Sequence, residues 1–150
     1  MIGISFYFGF EMDLEERAKL LKTHGIDCVI TSPGTKRDKR YGKIEKQVEL
    51  IKKHKLQLSS FHSRYGKYQT FFWKKGLIGS YLTKRLIEDV KTAHKYGFKS
   101  VVVHLQGEFS EVGKERLLKV LKVCEELDIP LAVENLNNQK LLIDTFKSID

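Results

Sequence analysis

The chain has 150 residues, of which 41% are hydrophobic and 31% charged, and a net charge of +8. That is long enough for one domain with a real core, too short for two comfortable ones, and too apolar for a disordered chain. The basic excess leaves phosphate-bearing partners open, but most lysines fall on outward helix faces, which reads as solvated surface ahead of nucleic-acid contact.

Met1–Phe10 is apolar yet lacks the basic start and small-residue cleavage site of a signal peptide, and no run approaches the ~18 apolar residues of a membrane span. A cytoplasmic protein without membrane association is therefore expected. Cys28 and Cys124 match no ligand spacing, and both read as buried free thiols of a reducing compartment.

Ile2–Phe8 reads as a first strand. Asp13 caps a helix over ~13–24, with Glu16 three places on and Leu14, Ala18 and Leu21 at helical spacing. Ile26–Thr31 is a strand broken by Ser32-Pro33-Gly34, and residues 35–42 form a charged loop. A second helix, ~43–54, carries Ile44, Val48 and Ile51 on one face. The strand Leu56–His62 leads into the longest irregular stretch, Ser63–Gly79. Next come a long helix (~80–96), a strand (Phe98–His104) and a loop ending at Ser110, the N-cap of a helix over ~111–127. Leu131–Leu136 is the fifth strand, and Gln139–Ile149 a closing helix capped by Asn137 or Asn138.

A quasi-repeat supports this parse. A helix end, a turn and a new apolar run recur, with the first apolar residue at Ile26, Leu56, Phe98 and Ile129. The steps are the length of a βα unit, and strict alternation of strand and helix implies parallel strands with helical crossovers.

Three of these strands end on residues with chemistry. The third runs into His62, the fourth into His104, and Leu131-Ala132-Val133 into Glu134. The carboxyl ends of parallel strands are where α/β folds place their sites. Two imidazoles and a carboxylate suit Zn²⁺ or Mn²⁺, so His62, His104 and Glu134 are candidate metal ligands. His24, His54 and His94 fall on helices or helix ends and read as surface. The loop from Ser63 to Lys75 mixes cations with aromatics. Arg64 is its candidate phosphate contact and Trp73 its candidate stacking surface for a sugar. The plainer reading is that its Phe and Trp residues cover the top of the fold or an oligomer contact.

Ser60-Phe61-His62, Val101-Val102-Val103-His104-Leu105 and Leu131-Ala132-Val133-Glu134-Asn135-Leu136, in that order and register, resemble the xylose isomerase-like TIM barrels. That superfamily holds sugar (phosphate) isomerases and epimerases and endonuclease IV-type enzymes. The resemblance implies a partial TIM barrel over 1–150, about five βα units of a barrel that takes about 250 residues. A flattened doubly wound parallel sheet is the alternative.

The resemblance also implies a divalent metal (Mn or Zn) held by Glu134, with His62 and His104 joining it in the endonuclease branch. In the epimerase branch Glu134 is also catalytic, and the Asn135 beside it is assigned to substrate. The implied reaction is sugar or sugar phosphate isomerisation by proton abstraction next to a metal-bound carbonyl. The alternatives are a non-catalytic half-barrel and an endonuclease IV-like phosphodiester hydrolase. An open parallel sheet leaves unpaired edges, so self-association covering the open side is expected.

Overall fold

In a computed structural model of the chain, residues 1–7, 10–33, 42–64, 66, 68–134 and 138–149 are described. Strands β1 (Gly3–Ser5), β2 (Cys28–Thr31), β3 (Gln57–His62), β4 (Ser100–His104) and β5 (Leu131–Glu134) alternate with helices α1 (Leu14–Thr23), α2 (Ile44–Lys53), α3 (Leu77–Tyr96), α4 (Glu111–Glu126) and α5 (Gln139–Ile149). All strand pairs are parallel, and the order across the sheet is β1-β2-β3-β4-β5.

This order decides between the two architectures. A doubly wound sheet reverses its strand order at a switch point and so carries helices on both faces. Here the order never reverses. Right-handed crossovers then put every helix on one side, and α1 packs on α2, α3 on α4, and α4 on α5. The fold is an open arc of barrel, and the flattened alternative does not hold.

The quasi-repeat is a repeated helix stop. After α1, α2, α3 and α4 one residue takes a positive φ: Gly25 (76°), Lys55 (56°), Gly97 (83°) and Asp128 (49°). The amide that follows then bonds back five residues. Ile26 donates to Leu21 O at 3.1 Å, Leu56 to Ile51 O, Phe98 to Ala93 O and Ile129 to Cys124 O, each at 3.0 Å. This is the Schellman motif, in which the residue after the turn packs against the helix it closes. The strands therefore begin later than the apolar runs suggest, because the first apolar residue of each run is spent on the turn.

The helix starts follow sequence chemistry. Asp13 accepts from the amides of Glu15 (2.8 Å) and Glu16 (3.3 Å), Ser110 from Gly113, and Asn138 from Leu141 at 3.0 Å. Asn137, the other candidate cap, lies outside the described residues.

The core lies between sheet and helices. Val29, Leu58, Phe61, Val101 and Val103 face the helices, packed under Ile51, Val90 and Val120. Leu58 and Phe61 are an odd number of residues apart and both are buried. The register irregularity between β2 and β3 reconciles this, since an extra residue restores the facing. Cys28 and Cys124 are buried free cysteines, and burial pushes the Cys124 thiol up.

Within the stretch Ser63–Gly79, residues 69–79 are more regular than the sequence suggests. Gln69–Trp73 forms a 3-10 helix, and α3 begins at Leu77. This segment is wedged between α3 and α4. A Cβ on Gly113 of α4 would lie 2.0 Å from the Trp73 ring, and one on Gly79 would strike the Arg116 guanidinium. Arg116, 8% exposed, donates to the carbonyls of Phe72 (2.6 Å), Lys74 (2.7 Å) and Gly76 (3.2 Å). A run this short has too few turns to show helical periodicity.

Candidate metal centre

Alternation along β3, β4 and β5 turns Ser60, His62, Ser100, Val102, His104, Ala132 and Glu134 away from the helices. Ser60 and Ser100 share a 2.8 Å hydrogen bond on this face. His104 pairs in register with Glu134, while His62 pairs with Val102, two residues before His104. The His62 ring meets His104 edge to face, with centroids 4.6 Å apart. The offset brings three ligand-type atoms together. His104 Nε2 is 2.5 Å from Glu134 Oε2 and 2.9 Å from His62 Nε2, and His62 Nε2 is 3.5 Å from the same carboxylate oxygen.

Proton bookkeeping makes this a fitting donor set for a cation. His62 Nδ1 lies 3.0 Å from the carbonyl oxygen of Ser63. A carbonyl only accepts, so Nδ1 carries the proton and Nε2 presents a lone pair to the cluster. A proton on His104 Nε2 would have to serve both His62 and Glu134, whereas one cation satisfies all three atoms. A point about 2 Å from each, the bond length Zn²⁺ makes to nitrogen and oxygen, exists above their triangle. The Glu134 carboxyl is held below its ordinary 4.5, chiefly by the hydrogen bond from His104, which outweighs desolvation, with the charge of the two imidazoles adding to it. Its side chain is 47% exposed, against 27% for His62 and 13% for His104, so the cluster opens to solvent at the carboxylate.

Of the other residues singled out, Arg64 borders a cleft that also reaches His104. Its guanidinium forks onto Asp89 of α3 at 2.6 and 2.9 Å. Burial pushes the Asp89 carboxyl up, and Arg64 pulls against that shift. Trp73 is not brought to the cluster. It is 3% exposed, packed against Phe72, Phe109 and Gly113. Asn135 lies outside the described residues.

Asp89, Ser63 and Arg85 escaped the reading of the sequence, although all three line the cleft with His104. Asp89 had a signal. It stands in the apolar stripe Leu82, Leu86, Val90 and Ala93, and an acid there must find a partner.

No protein-family model matches the chain, and no curated protein matches it in sequence. Among solved structures it is similar to a 3-keto-D-glucoside 4-epimerase from E. coli, with a TM-score of 0.61 and 15% identity over 91% of this chain and 57% of that one. It is also similar to a sugar phosphate isomerase/epimerase from Parabacteroides distasonis, with a TM-score of 0.58 and 13% identity over 93% of this chain and 57% of that one. The chain thus spans little more than half the length of these neighbours, and at such identities the likeness is one of fold. The sequential parallel sheet, its one-sided helices and these neighbours agree: the chain has the fold of a partial α/β barrel, in five βα units.

Proposed function

We propose that this chain supplies part of the active site of a divalent-metal-dependent sugar isomerase or epimerase acting on a sugar or sugar phosphate. The observation that carries the reading is the convergence of His62 Nε2, His104 Nε2 and Glu134 Oε2 at the carboxyl ends of three adjacent parallel strands. Barrels of this kind place their chemistry at that end. The names of the two structural neighbours give the reaction class.

His62, His104 and Glu134 would hold Zn²⁺ or Mn²⁺, which would supply Lewis acidity toward a sugar carbonyl or hydroxyl. The imidazoles orient the site, and His62 is fixed in its tautomer by the Ser63 carbonyl. Glu134, with its carboxyl held in the ionised form, takes a proton from the carbon next to the carbonyl. A second carboxylate from elsewhere completes the exchange. Asn135, next in sequence, binds a substrate hydroxyl. Edge strands β1 and β5 are covered by self-association, which sedimentation measures directly.

One other reading has its own support. The +8 charge favours an endonuclease IV-like phosphodiester hydrolase using the same cluster.

Metal analysis after loading with Zn²⁺ and with Mn²⁺ tests the proposal first. Near-stoichiometric binding, lost in Glu134→Ala, is expected, followed by solvent-deuterium incorporation into members of a sugar and sugar phosphate panel. Failure to retain either ion overturns the metal site and leaves the half-barrel. Cleavage of an abasic-site duplex with no deuterium exchange moves the function to the hydrolase.

A further inference from the structure

The segment just after β3 is clamped from several sides. The Ser63 amide donates to Val102 O of β4 at 2.8 Å, and the Ser63 carbonyl accepts from His62 Nδ1. The next residue is held by α3. Asp89 accepts the backbone N–H of Arg64 at 3.1 Å through Oδ2 and its guanidinium fork through Oδ1, and Arg85 donates to Arg64 O at 3.0 Å. Asp89 is 2% exposed. A buried carboxylate carries a desolvation cost that is offset only by such partners, yet this one lies on a helix where a leucine would fill the space. Its three contacts all end on the residue that fixes the plane of the Ser63–Arg64 peptide, and that peptide carries the oxygen facing His62.

We propose that Asp89 is a positioning residue for His62: it holds the Ser63–Arg64 peptide so that the Ser63 carbonyl keeps the proton on His62 Nδ1 and the Nε2 lone pair on the cluster. This deepens the metal-site reading and rests on it for its function, though the tautomer it fixes is a property of the metal-free chain. The link runs from α3 through Arg64 to the ring. A carboxylate that only neutralised Arg64 would need the fork alone. The additional bond to the Arg64 amide ties the backbone itself. Partners that orient a metal-binding imidazole through its other nitrogen commonly change metal affinity by 10–100-fold.

The test uses the full chain with Asp89→Asn and Asp89→Leu. The first keeps the shape of the side chain and removes its charge. The second fills the same space and removes both the fork and the bond to the Arg64 amide. Long-range ¹H–¹⁵N spectra of the metal-free protein report the tautomer of each histidine, Zn²⁺ competition titration gives Kd, and thermal unfolding gives Tm. Wild type is expected to hold His62 in the Nδ1–H form. Both variants should mix in the Nε2–H form at His62 but not at His104, and should weaken Zn²⁺ binding about 10–100-fold. Asp89→Glu should recover part of both effects.

If either folded variant lowers Tm while the His62 tautomer and Kd stay at wild-type values, Asp89 is structural only and the inference is overturned. If Asp89→Asn does not fold, Asp89→Leu decides by the same spectra. A wild type that binds no Zn²⁺ but shows the variant-dependent tautomer shift sinks the metal reading while the positioning inference stands.

Discussion

Strand β4 shows the two faces of the sheet side by side. Val101 and Val103 turn toward the helices and are 0% and 3% exposed, while Val102 and His104, alternating with them, stand half-buried on the opposite face. The same division runs through β5, where Leu131 and Val133 join the core and Ala132 and Glu134 are exposed. One face holds the chain together, and the other carries the residues with chemistry. A strand with period two can serve both because a substitution on one face leaves the other in register. Stability and site should therefore be separable by mutation.

The largest expected effect tests the closed face. Phe61 is fully buried and meets Phe98 edge to face, with ring centroids 5.3 Å apart. Phe61→Ala should cost about 3–5 kcal/mol in urea unfolding, the sum of lost transfer energy and a cavity. Val102→Ala, on the other face of the neighbouring strand, should cost about 1 kcal/mol or less, because its side chain is only partly removed from water. Equal losses at the two positions would show that the open face is packed as tightly as the helix face, and the separation argued above would fail.

A smaller effect sharpens the open face. The Glu134 carboxyl is held below its ordinary 4.5 in the folded chain, chiefly by His104. A carboxyl depressed on folding contributes stability that is fully present above its unfolded value and is lost as pH falls through the folded one. In metal-free protein the unfolding free energy of wild type should thus fall more steeply with acid below about pH 4.5 than that of Glu134→Gln, and the curves should run parallel above about pH 6. Because the side chain is 47% exposed, solvent keeps this difference small. Superimposable acid limbs would mean that His104 does not hold the carboxylate in solution. Metal binding should respond in the same direction, since imidazoles must shed protons to ligate.

The helix-facing half of this division was legible in the sequence, because its signals are local. Asp13, Ser110 and Asn138 cap helices as their residue types suggest, and the recurring helix ends declare the βα repeat. The strand-end residues His62, His104 and Glu134 were legible for a different reason: parallel strands in sequential order bring their carboxyl ends to one rim. What stayed hidden depends on contacts between distant elements. Nothing near Trp73 in sequence shows that Gly113, on another helix, leaves the space its ring occupies. Arg64 reads as a free cation until Asp89 arrives from α3. The bulge that lets both Leu58 and Phe61 face inward breaks the alternation on which strand reading depends.

The smallest expected effect lies at the junctions that feed the closed face. The four Schellman turns do the same work with unequal residues. Gly25 and Gly97 adopt positive φ without a Cβ clash, whereas Lys55 (φ 56°) and Asp128 (φ 49°) do so against one. A left-handed conformation costs an ordinary L-residue about 1–2 kcal/mol, and glycine loses about 0.5–1 kcal/mol more backbone entropy on folding. Lys55→Gly should therefore stabilise the chain by about 0.5–1 kcal/mol in urea unfolding at unchanged m-value, while Lys55→Ala, which keeps the Cβ, should gain nothing. Asp128→Gly should gain less than Lys55→Gly, because a short carboxylate side chain visits this region more readily than a lysine. A stabilisation by Lys55→Ala as large as that by glycine would point to relief of crowding by the long side chain, and the turn would then owe nothing to its φ. If only glycine helps, the strain is in the backbone, and it is borne because the turn drives Leu56 back over Ile51, two residues of the core that Phe61 completes.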